Sequence, residues 1–327
     1  METAFERLGP HLLRMSDGET GERAEWVGSQ IEWMRVNPDV DRLTELPVKD
    51  YDSGNAFKVK DGRDLQADNI RLGYYVAFHE SYPAFKFLRE KYEQPQVSFQ
   101  VGVPAPMDFA ADLFGWEAHQ ANPGIAEAFR AATVKEIERI HAEAGDDVIF
   151  QIETVVGLVA ITMTPEEHQQ ATAEQIASEL KKLVADCPNG TRFGAHLCLG
   201  DFHHKAFGKL VDATPVVLLA NALSKDFPKS QKLEYIHVPF AAADEPGSME
   251  ESWYEPLQGL KVPDDVRFAA GFIHEDVSAK DNKKLLEMIE RLAGREVDVA
   301  AACGLGRRPD PAQAWDAMDK AVALLEN

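Results

Sequence analysis

Apolar residues fall along this chain in two rhythms. Short runs that are continuously apolar or alternate with polar residues read as strands. Between them lie longer stretches in which apolar residues return every three or four positions, the spacing of amphipathic helices. The strand pattern appears near 12–15, 97–103, 148–153, 193–199, 215–220, 233–239, 267–273 and 297–302. Helical spacing is clearest over 123–144, where Ile125, Ala128, Phe129, Ala132, Val134, Ile137 and Ile140 share one face. Further helices are expected over 1–11, 165–186, 279–293 and 311–325, with Pro165 suited to a first helical position. The run Pro215-Val216-Val217-Leu218-Leu219-Ala220-Asn221 has no polar face and reads as a strand covered on both sides.

Strand and helix patterns alternate through most of the chain, and eight strand candidates in 327 residues suit an α/β fold, a single (β/α)8 TIM barrel spanning 1–327. A doubly wound open sheet is the rival, but no G-x-G-x-x-G follows a first strand. Residues 38–70 are polar and rich in Asp. They are expected to form an irregular, lid-like insertion near the N-terminal end. The aromatics of 71–92 (Tyr74, Tyr75, Phe78, Tyr82, Phe85 and Phe87) read as packing residues.

Composition narrows the function classes. There are 34 Lys plus Arg against 55 Asp plus Glu, a net charge of −21. Such a surface repels phosphate backbones, so no nucleic-acid partner is expected. No apolar run reaches the ~18 residues of a membrane helix. The first residues lack a basic segment followed by an apolar one, so the expected location is the cytoplasm, with no membrane partner. The three cysteines, Cys187, Cys198 and Cys303, do not suggest a disulfide framework.

In a (β/α)8 barrel the active site gathers at the carboxyl ends of the strands. Several expected strands end in a chemically able residue: Asp17 and Glu19 in the first loop, Glu153, His196 with Cys198, Asn221, His237, His274 and Cys303. His196 and Cys198 are two apart on one strand and point the same way. An imidazole and a thiol so placed are half of a zinc site, and Cys303 is a candidate third ligand. A lone strand-end histidine is more often structural, and a lone buried cysteine usually behaves as a small hydrophobe. Their concentration at one rim is what gives them weight. Asp17, Glu19 and Arg23 read equally well as a pocket wall and as a helix-capping turn.

These residues resemble the superfamily of cobalamin-independent methionine synthase and uroporphyrinogen decarboxylase. The catalytic barrel of that synthase carries an H-x-C strand and a late C-G-L. Here His196-Leu197-Cys198 and Cys303-Gly304-Leu305, with Arg307 and Arg308 following, stand in those places. Gln151-Ile152-Glu153 is similar to that family's Gln-Ile-acid strand in the substrate site, and Gly271-Phe272-Ile273-His274 is similar to a later strand. The stretch Asp17-Gly18-Glu19-Thr20-Gly21-Glu22-Arg23 resembles standalone members of the superfamily. The resemblance implies a (β/α)8 barrel, zinc on His196, Cys198 and Cys303, and transfer of an alkyl group to a thiol. In the synthase a glutamate on the strand after H-x-C is a further zinc ligand. Here the strand expected next, Val217-Leu218-Leu219-Ala220-Asn221-Ala222, has no acid at its end, leaving His237, Asp201 or solvent to complete the shell.

The favoured expectation is a zinc-dependent methyl- or alkyltransferase acting on a small thiol, with a methyl or alkyl donor as second substrate. Glu153 would orient an amine or hydroxyl, and Asp17 and His274 would hold the other substrate or shuttle a proton. Glu19, Arg23, Asn221 and His237 are the expected substrate contacts, and the self-association considered is a homodimer. The alternative is a metal-free lyase or decarboxylase working on a carboxylated substrate through Asp17, Arg14 and Arg23. A non-catalytic barrel is the third class, which a rim rich in Cys, His and Glu argues against.

Overall fold

The computed structural model describes residues 1–18, 23, 26–43 and 56–326. In chain order its strands are β1 (Arg14–Ser16), β2 (Val40–Arg42), β3 (Phe57–Val59), β4 (Ser98–Pro104), β5 (Val148–Thr154), β6 (Arg192–Leu197), β7 (Lys232–Pro239), β8 (Arg267–Ile273) and β9 (Asp298–Ala301). Seven of them form one sheet in the order β1-β4-β5-β6-β7-β8-β9, every neighbouring pair parallel. Helices fill the connections, as parallel pairing demands.

One of the eight expected strands, the fifth in chain order, is absent. Thr214–Ser224 is an α-helix, not a strand over 215–220. Pro215 lies in its first turn, and the Asp212 carboxylate accepts from the Thr214 amide at 2.7 Å. The helix packs against the long helix Glu166–Asp186, whose Lys181 ammonium donates to the carbonyls of Ala222 and Lys225. It is apolar nearly all round because it is nearly all buried, and a short apolar run reads the same whether it is a buried strand or a buried helix. The strand that truly follows β6 is β7.

Among the described residues no backbone ladder joins β1 to β9, so the sheet is curled rather than closed by hydrogen bonds. Side chains span the gap. The Arg14 guanidinium lies 3.6 Å from the Asp298 carboxylate, and Arg7 on the first helix pairs with Asp319 on the last at 2.5 Å.

The described parts of 38–70, residues 38–43 and 56–70, are more regular than expected. β2 and β3 pair antiparallel, and Asp39 accepts from the Asn69 side chain (2.7 Å) and the Gln66 amide (3.1 Å). Phe57 is fully buried, 6.3 Å from the Phe114 ring, which anchors the hairpin to the main body.

Strand alternation sorts the side chains of the main sheet. On β4, Phe99 meets Phe78 and Phe85 of the helix Tyr74–Lys91, while Gln100, Gly102 and Pro104 line a half-open cavity. That cavity measures about 1410 Å³ and also takes Arg14, Gln151, Glu153, His196, Tyr235, His237 and Asp298. The inside of a closed (β/α)8 barrel is ordinarily filled by branched apolar side chains; along this curled sheet polar groups and glycines line the cavity instead.

Candidate metal centre

The ligand atoms of His196, Cys198 and Cys303 all lie within 4.8 Å of one another. β6 sets the first two. His196 pairs in register with Glu153 on β5 and with His237 on β7, so the three stand level across adjacent strands. Cys198 extends the ladder by one bond, its amide donating to Thr154 O at 2.9 Å. The chain then turns at Gly200, whose φ of +91° is open to glycine and strained for other residues. That turn folds the Gly200 amide back to donate to the Cys198 sulfur at 3.3 Å. Cys303 arrives from just beyond β9, its Sγ 3.6 Å from that of Cys198.

The histidine is held in its ligating form, while the two thiols must release their protons in order to ligate. His196 is buried, and neither ring nitrogen has a hydrogen-bond partner in the structure. Burial, then the neighbouring His237, holds its pKa well below the usual imidazole range, which leaves the neutral, ligating form. The Cys303 thiol, then burial, pushes Cys198 well above the usual thiol range. A buried imidazole with no partner costs free energy that a metal would offset. Imidazole plus two thiols is a donor set for zinc, with three protein ligands leaving one position for solvent or substrate. The residues present therefore fit zinc, the ion that the family resemblance implies.

The surroundings form one polar chain. Gln151 Nε2 donates to Glu153 Oε1 at 2.7 Å, and the Tyr235 hydroxyl lies 2.8 Å from Gln151 Oε1 and 2.9 Å from Gln100 Oε1. One hydroxyl has one proton. Since Gln151 turns its oxygen to Tyr235, the Gln100 amide is best oriented with its NH₂ toward the phenol. The Arg14 guanidinium carbon lies over the Tyr235 ring, 3.9 Å from its centroid, while the side chain pairs with Asp298. Two strand glycines make room for this. A Cβ on Gly102 would sit 2.7 Å from Glu153 Oε1, and one on Gly194 would sit 2.1 Å from the Tyr235 ring.

The expected site residues divide. Glu153, His196, Cys198, His237, Cys303 and Asp17 all line the cavity. His237 stacks on His196, ring centroids 4.5 Å apart, and its Nε2 donates to Ala301 O at 2.8 Å, so it packs beside the donor group without joining it. Asp17 is buried and ion-paired with Arg23. Glu19 lies outside the described residues. Asn221 is misplaced by the strand assignment: it sits on the helix Thr214–Ser224, donates to Gly259 O at 2.9 Å and accepts from the Lys261 amide at 2.6 Å. Those bonds tie a helix to a loop and leave the site untouched. His274 follows β8 and is buried, but it is not among the residues lining the cavity. β7, the true successor of β6, carries its single acid, Glu234, near its start, in a two-bond pair with Arg192 (2.6 and 2.9 Å). No acid stands at its carboxyl end.

Tyr235, Gln100 and Arg14's place on the ring were not picked out from sequence as parts of this site. The signal was present: Tyr235 and Gln100 are each two residues from a cavity-facing position, His237 and Gly102, and so share its face.

No protein-family model matches the chain, and none of the curated proteins compared with it is significantly similar in sequence. Among solved structures, it is similar to a methyltransferase from Methanosarcina mazei at 16% identity and TM-score 0.53, over 99% of this chain and 81% of that one. It is also similar to a Listeria monocytogenes protein assigned provisionally as a vitamin-B12-independent methionine synthase, at 14% identity and TM-score 0.52, over 99% and 83%. At such identities the likeness is one of fold.

Proposed function

We propose that this chain is a zinc-dependent methyl- or alkyltransferase acting on a small thiol. The observation that carries the reading is the convergence of His196, Cys198 and Cys303 in a cavity wall, with both His196 nitrogens buried and unpartnered. The fold shared with a methyltransferase and with a protein assigned as a methionine synthase supports it. When bound, zinc supplies the Lewis acidity that lowers a thiol's pKa toward neutrality. The acceptor thiol would lose its proton to solvent and its sulfur would attack the alkyl carbon of the donor: the S–C bond forms, and the bond to the leaving group breaks with its electron pair departing on the remainder of the donor. Glu153 stands level with His196, its Oε1 accepting from Gln151, and would accept from an amine or hydroxyl of the acceptor. His237 walls one side of His196 and keeps water from that face. Asp17, paired with Arg23, lines the same cavity and is the candidate contact for the second substrate.

The lyase reading needs arginines free to hold carboxylates. Arg14 is committed to Tyr235 and Asp298, and Arg23 to Asp17, which leaves that reading the weaker. The test is elemental analysis of anaerobically purified protein together with a transfer assay on a panel of small thiols and methyl donors. Near-stoichiometric zinc and chelator-sensitive transfer are expected. Turnover of a carboxylated substrate that survives both chelator and Cys198→Ser would replace this reading with the lyase.

A further inference from the structure

Beyond the ligands, four ionisable side chains form a closed ring where three loops meet. Asp201 follows Cys198 by three residues, on the loop after β6. His204 lies on the same loop, Glu275 follows β8, and Arg308 follows β9. His204 Nδ1 is 3.5 Å from Asp201 Oδ1, and its Nε2 is 3.3 Å from Glu275 Oε1. Arg308 closes the other side, NH1 4.0 Å from Asp201 Oδ2 and Nε 3.7 Å from Glu275 Oε2. The side chains of Asp201 and Arg308 are 0% and 1% exposed. The two Arg308 contacts, at 3.7 and 4.0 Å, are longer than hydrogen bonds, so attraction of opposite charges rather than directed bonding holds Arg308 to the two carboxylates.

A buried ionic ring is a poor source of stability, because desolvation of the charges offsets their attraction. What it does provide is geometry. Arg308 NH1 also donates to Gly304 O at 3.0 Å, and Gly304 is the residue next to Cys303. One guanidinium thus grips the backbone beside one cysteine and a carboxylate three residues from the other. The loop it grips is itself held in an unusual shape, with His203 and His204 at φ of +53° and +58°, a conformation that costs free energy and persists only where surrounding structure imposes it.

We infer that Arg308 is a positioning residue for the Cys198–Cys303 pair: by linking Gly304 to Asp201 it sets the separation at which the two sulfurs can share one ion. The sulfur spacing itself does not depend on the zinc reading; its use in metal binding does, and rests on it.

The test uses the reduced, metal-free protein with Arg308→Gln and Arg308→Lys. The first readout is the rate at which diamide converts Cys198 and Cys303 into a disulfide, followed by the mass of the linked peptide. The second is Zn²⁺ affinity by competition with a chromophoric chelator. Circular dichroism and urea midpoints establish that each variant is folded at the assay temperature. Arg308→Gln is expected to slow disulfide formation and to lower zinc affinity about 10- to 100-fold, the range for groups that orient metal ligands. Arg308→Lys is expected to recover part of both, since it keeps the charge but not the two-way reach. If Arg308→Gln proves unfolded, Asp201→Asn interrupts the same link and takes its place. A folded variant with the wild-type disulfide rate would overturn the inference. Should wild type bind no zinc, the functional reading fails, while the disulfide rate still decides the role of Arg308.

Discussion

The sulfurs of Cys198 and Cys303 lie 3.6 Å apart although 105 residues separate them in the chain. β6 delivers one and β9 the other, and His196, one cavity-facing step before Cys198, supplies the third donor of the group.

Cys198→Ser and Cys303→Ser should each purify without zinc, where wild type carries close to one equivalent. Ligand binding to the folded state stabilises it by about 2.7 kcal/mol at a free concentration of 100 times Kd. Added zinc should therefore raise the thermal midpoint of wild type and leave both variants unmoved. A zinc-dependent rise in either variant would show that its cysteine is not a ligand.

Glu153→Gln should leave zinc content unchanged and raise KM for the thiol acceptor, because the residue stands beside His196 and outside the donor group. Steady-state kinetics against the acceptor concentration check this. An unchanged KM would remove Glu153 from the binding site.

Gly194→Ala should lower stability by about 1–3 kcal/mol, the usual consequence of overpacking. The new Cβ would fall 2.1 Å from the Tyr235 ring. Shrinking the ring with Tyr235→Ala should make the two substitutions strongly non-additive in a denaturation cycle. Simple additivity would mean that the ring does not occupy the space above Gly194.

The acid limb of stability in metal-free protein should carry the mark of His237. Burial pushes its pKa down to about 4, from an ordinary 6.5. Between those values the unfolded chain binds a proton that the folded one refuses, so stability falls as pH drops from 6.5 toward 4 and is level in this respect above 6.5. His196 acts in the same direction. Asp108, which burial pushes up to about 6, acts oppositely: it takes its proton first in the folded state and favours folding as pH falls from 6 toward 3.8. His237→Phe should reduce the slope of unfolding free energy against pH by up to about 1.4 kcal/mol per unit in the 4–6.5 window. Urea midpoints at several pH values measure it, and an unaltered slope would refute the assignment.

Asn221→Ala should lose two hydrogen bonds, at about 1–2 kcal/mol in total, with zinc content and transfer unchanged. A loss of zinc would return Asn221 to the site.

The sequence alone determined much of this protein. Alternation placed Gln100, Glu153, His196 and His237 on strands, and the His196-Leu197-Cys198 spacing put two donors on one face, because strand geometry repeats every two residues whatever lies around it. Helical spacing over 123–144 was equally local and corresponds to Gly124–Ala144. The tertiary structure alone decided three things. It made Pro215–Asn221 part of a helix, since a segment apolar on every side has no periodicity to read and its neighbours choose its form. It joined Cys303 to Cys198, a contact that only the curl of seven strands can bring about. It also assembled Arg308, Asp201, His204 and Glu275 into one ring, because charges on three separate loops carry no common pattern along the chain and acquire their partners only when those loops converge.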